Sequence, residues 1–140
     1  MTNEARKISG FILLTMPSII YGGYFLLSIL SGQQESLGLT EFQKSMFRAG
    51  HAHAGVLVIL SLLIQLFADH LPFSKQGVWT VRISFPLSAV LISLGFFASA
   101  MGQSVSAPNK LIGILYVGIG VLIFGMITIG IGLVRGRKVE

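Results

Sequence analysis

The sequence predicts an all-α integral membrane four-helix bundle. Three observations carry that reading. The 140-residue chain is 53% hydrophobic with a mean hydropathy of +0.81, above the range of soluble domains. Four apolar stretches each reach the roughly 20 residues that a bilayer-spanning helix needs. The connections between them are too short to hold a separate soluble domain, so residues 1–140 form one domain.

Span 1 is expected at about Ile8–Leu30, with Pro17 and the run Tyr21-Gly-Gly-Tyr24 inside it. Arg6 and Lys7 precede this stretch as they would in a signal peptide. The apolar run is longer than a signal core and no small-x-small cleavage site follows, so it is read as a retained helix. The polar loop Ser31–Ser45 comes next. Its Thr40-Glu-Phe-Gln43 fits a capping box in which Thr40 caps a short helix leading into span 2 and Gln43 answers.

Span 2 is expected at about Met46–Ala68, and Pro72 and Gly77 mark the turn after it. Span 3, about Trp79–Met101, contains Pro86 with Ser84, Ser88 and Ser93 nearby. A proline in a span frees a carbonyl, which Ser hydroxyls or neighbouring helices can satisfy. Span 4, about Lys110–Val134, is glycine-rich. Gly118, Gly125 and Gly132 recur every seven residues, and Gly113 and Gly120 begin a second stripe. Small residues at that spacing let helices approach closely in lipid, within the bundle or against a second copy or a partner subunit.

The net charge of +5 is not a nucleic-acid signal, because the cations lie at span ends where they set orientation. Arg6, Lys7, Lys75, Arg82, Arg135, Arg137 and Lys138 share one side, and Lys44, Arg48 and Lys110 the other. That bias predicts both termini in the cytoplasm and a plasma or inner membrane location. Cysteine is absent, which excludes disulfides, thiolate metal sites and c-type haem attachment. All five acidic residues fall outside the spans, which argues against a proton-coupled exporter built on an embedded carboxylate.

The chemistry is expected in Phe47-Arg-Ala-Gly-His-Ala-His-Ala-Gly55. Ionisable side chains inside a membrane are costly and default to a functional hypothesis, and imidazole is a common ligand for haem iron, copper and zinc. His51 and His53, two residues apart, differ by about 200° around a helix. They are therefore poorly placed to chelate one metal together. Small neighbours at Gly50, Ala52, Ala54 and Gly55 permit a flat ring to approach an imidazole. Arg48 is a candidate partner for haem propionates. Met46 and Met101 are possible soft ligands, expected at the membrane level of Tyr24, Gln103 and Tyr116.

Ala52-His-Ala-Gly-Val-Leu-Val-Ile-Leu60 resembles the start of the second helix of subunit I in haem-copper oxidases and nitric oxide reductases. The resemblance implies that His53 is an axial ligand of a haem b near the outer face, with Arg48 as propionate partner. No His occurs in spans 1, 3 or 4, so a complete oxygen- or nitric-oxide-reducing centre is not expected. A second axial ligand would be His51, Met101, a second copy's His53 or a residue of a partner subunit. The expectations are a haem b protein of electron transfer or haem handling using His53, His51, Arg48 and Met101, or a protein handling copper, held by His51 and His53, or a small solute. A third is an accessory subunit docking a partner through span 4. No independent catalytic cycle is expected.

Overall fold

The structure, a computed structural model, describes residues 1–136; the cations Arg137 and Lys138 and the acidic Glu140 lie outside the described residues. Four helices carry the chain: α1 (Asn3–Leu30), α2 (Glu41–Phe67), α3 (Lys75–Ser99) and α4 (Ile112–Arg135). Short 3-10 turns at Glu35–Leu37 and Ala68–His70 complete the order. All four helices are long and apolar enough to cross a membrane.

Three of the four helices start where a side chain satisfies a first free amide, while α4, with Leu111 at its N-cap, has no side-chain cap. Thr2 accepts from the Ala5 amide and begins α1 five residues before the predicted span. Thr40 and Gln43 form the expected capping box, and α2 runs unbroken from it, with no separate short helix. Ser74 caps α3 through the Gly77 amide.

α3 is the central element. More than half of its most apolar stretch is buried, against under a quarter for α1 and for α4. α2 packs on one side of α3 and α4 on another, while α1 packs mainly on α2. The contact between α3 and α4 explains the glycine stripe. A Cβ at Gly118 would lie 2.8 Å from Ile92 Cγ1, one at Gly132 would lie 2.6 Å from Leu71, and one at Gly125 would strike Ser84. Gly95 on α3 answers from the other side, where a Cβ would run into the Leu115 backbone. Gly118, Gly125 and Gly132 therefore serve packing inside the chain. At Gly113, Gly120 and Gly130 an added Cβ would meet nothing within 4 Å.

Candidate functional site

Contacts of Thr2 with Asp69, Gln65 with Arg82, Gln43 with Ala100, and Gly118 and Gly125 with Ile92 and Ser84 make successive helices antiparallel, which gives the bundle two ends of different chemistry. One gathers the start of α1, the α2–α3 turn and the start of α3. Here Arg82, whose side chain is only 3% exposed, pairs with Asp69. Its guanidinium also donates to the Gln65 carbonyl (2.9 Å) and side chain (3.3 Å), and to the Thr2 hydroxyl (3.2 Å). Thr2 in turn donates to Asp69 through its hydroxyl (2.8 Å) and its amide (3.0 Å).

Pro86 lacks the N–H that would bond the carbonyl four residues back, which belongs to Arg82. Gln65 Nε2 takes that freed carbonyl at 3.1 Å. The sequence reading counted Arg82 among the flanking cations that set orientation. The structure instead buries it beside a carboxylate, so it adds no free positive charge to that end. The available signals were Gln65 deep in an apolar run and the four-residue spacing of Arg82 and Pro86.

At the other end, Gln43 is fully enclosed and clamps the α3–α4 connection. Its Nε2 donates to the carbonyls of Ala100 and Gly102, each at 2.9 Å. The Thr40 hydroxyl donates to the Val105 carbonyl. Asn109 closes the end of α3, its amide bonding the Ser99 carbonyl and its side chain the Ala98 carbonyl.

Against this frame His51 and His53 point to different sides of α2, as their spacing predicts. The His51 ring lies against α1, where a Cβ at Gly23 would be 3.0 Å from its Cε1 and Nε2. It lines an apolar pocket of about 290 Å³ between α1, α2 and the end of α3, with Leu26, Phe47, Phe97 and Met101 among its walls. The ring has no hydrogen-bond partner among the described residues. His53 is exposed on the other side and its ring sits 4.9 Å from that of Phe96. Its Nδ1 is 2.8 Å from the Ala49 carbonyl. A carbonyl only accepts, so Nδ1 is the donor of this bond, and in the neutral ring the lone pair is on Nε2.

The remaining candidates divide unevenly between the two faces. Met101 shares the pocket with His51. Arg48 is exposed, about 60° around the helix from His51 and about 140° from His53. The structure thus groups Met101 with His51, leaves His53 on its own face, and keeps Arg48 out of the His51 pocket. Tyr24 and Tyr116 are exposed and do not line this pocket, nor does Met46. Among the described residues no three His, Cys, Asp or Glu side chains gather as a metal cluster.

No family model, curated protein or solved structure matches the chain. The site must be judged on its own chemistry. A pocket of about 290 Å³ stands at the lower limit of small-molecule sites, roughly 300–1,000 Å³. It suits a single ring and is too small for a tetrapyrrole. His53 is exposed and sets no such limit of size. Its imidazole is oriented through Nδ1 by a carbonyl, the arrangement metal-ligating histidines use.

Proposed function

We propose that this is a multi-pass membrane protein that binds haem b through His53 Nε2, in electron transfer or haem handling. The observation carrying this reading is the contact between His53 Nδ1 and the Ala49 carbonyl at 2.8 Å, which fixes the tautomer that can ligate iron. Bound haem would supply one-electron redox chemistry, its potential set by axial ligands and local polarity. Within the chain, His53 would hold the iron and Phe96 would restrain the ring. A second ligand would have to come from another polypeptide, since His51 and Met101 face elsewhere. The bias of cations toward the end that holds Arg6, Lys7, Lys75 and Arg135 supports cytoplasmic termini in a plasma or inner membrane, with His53 near the outer face. Haem titrated into the detergent-purified protein should give a Soret band that saturates, and a featureless titration would remove the reading.

A second reading, a subunit docking a partner helix along α4, is favoured by the open space at Gly113, Gly120 and Gly130. Under it, Gly120→Leu abolishes co-purification of a partner while His53→Ala leaves it intact. Loss of the partner with His53→Ala alone would count against it.

A further inference from the structure

We propose that the pocket beside the Arg82 network binds the zwitterionic headgroup of a phospholipid, its phosphate at Lys75 and its ammonium at Glu4. The site shares no lining residue with the His51 pocket, and the proposal does not depend on haem.

The cavity measures about 350 Å³ and lies between the start of α1, the α2–α3 turn and the start of α3. Four charged side chains line it: Glu4, Asp69, Lys75 and Arg82. Asp69 and Arg82 pair with each other, so their charges cancel within the wall. Glu4 and Lys75 remain, of opposite sign, and neither forms an ion pair among the described residues. Glu4 is half-buried and Lys75 is exposed, so a ligand can reach both.

That charge pattern selects the ligand. A lone anion drawn to Lys75 would meet Glu4, and a lone cation drawn to Glu4 would meet Lys75. A neutral molecule leaves both charges unused. A ligand that carries both signs a short distance apart satisfies both. Lys75 opens α3, where the helix N-terminus also favours an anion. Trp79 lines the same cavity and offers an aromatic face to an ammonium.

Two observations favour a lipid as the carrier of these charges. All four helices are long and apolar enough to cross a bilayer, which puts the starts of α1 and α3 at the level of phospholipid headgroups. Trp79, 40% exposed, sits as interfacial tryptophans do. Leu71, Phe73 and Val78 add an apolar wall beside the charges, suited to the ester region of a lipid rather than to a free ion.

Trp79 is the chain's single tryptophan and reports from the cavity itself. The test follows its fluorescence in the full chain, purified in dodecyl maltoside and titrated with dihexanoylphosphatidylethanolamine or dihexanoylphosphatidylglycerol. The ethanolamine lipid should shift the emission saturably. It should bind at least about fivefold tighter than the anionic glycerol lipid, the order of one ion pair. Lys75→Gln should weaken the ethanolamine lipid by a similar factor. Glu4→Gln leaves Lys75 uncompensated, so the preference should invert and the glycerol lipid bind tighter. No Trp79 response, a wild type that prefers the glycerol lipid, or a preference unchanged by Glu4→Gln would overturn the proposal. Glycerophosphoethanolamine has the headgroup without the chains and should bind at least about tenfold more weakly than the lipid. Equal binding of the two would overturn the assignment to a lipid.

Discussion

The Arg82 network and the histidine pair treat their polar groups in opposite ways. Around Arg82, most of the strong donors and acceptors find partners within the chain. The guanidinium meets Asp69, Gln65 and Thr2, and Gln65 returns a bond to the carbonyl that Pro86 leaves free. Around the two histidines, polar atoms are left over. His53 uses one ring nitrogen and presents the other, and His51 sits in an apolar pocket without a partner. A closed network fixes the helices relative to one another. Unused lone pairs and N–H groups in apolar surroundings are what a ligand would complete. The proposed binding role falls on the histidines and the structural one on the Arg82 network.

The largest expected effect comes from breaking the closed end. Asp69→Ala leaves Arg82 buried without its counter-ion, which should cost about 3–5 kcal/mol. Thermal unfolding in detergent would register it. Replacing both residues, Asp69→Leu with Arg82→Leu, should recover much of that loss, since a removed pair leaves no orphan charge. If the single variant unfolds like the wild type, the network is not what holds this end.

Next comes the seam between α3 and α4. Gly95→Ala should destabilise by about 1–3 kcal/mol, because the new Cβ meets backbone rather than a side chain that can move aside. Gly120→Ala, open on every side, should be neutral or slightly stabilising. Equal effects at the two positions would mean that the seam is not the close contact described.

Gln43→Leu sharpens the comparison from the other end. It removes the donor to two carbonyls while keeping the volume apolar, a loss of about 1–3 kcal/mol. Amide hydrogen exchange should rise in the connection Ala100–Lys110 and stay unchanged around Arg82. Smallest of all, His53→Ala should change stability by less than about 0.5 kcal/mol, as expected for an exposed side chain. A large destabilisation there would make His53 a structural residue.

The four helices were legible because the apolar stretches have the length a bilayer needs, and the Thr40–Gln43 box was legible because its chemistry is local. The opposite facing of His51 and His53 followed from helical spacing alone. The Arg82 network was not legible in the same way. It joins positions 2, 65, 69 and 82, and a sequence does not state which helix faces meet. Arg82 looked like any cation near a span end, and only the pairing of its helix with α2 and the start of α1 reveals that it is buried. The grouping of Met101 with His51 rather than His53 had the same cause, since it depends on how α3 ends against α1 and α2. The role of Gly118, Gly125 and Gly132 was half visible. Their spacing announced a close contact, and the fold chose α3, with the turn before it, as the surface contacted.

The central claim is that His53, and not His51, is the residue that engages haem iron. Its most direct test is a reduced-minus-oxidised absorption spectrum of the haem-loaded, detergent-purified protein, recorded beside His53→Ala and His51→Ala. The account predicts b-type bands in the wild type, their loss in His53→Ala and their retention in His51→Ala. Bands that survive His53→Ala, or vanish only with His51→Ala, would contradict it.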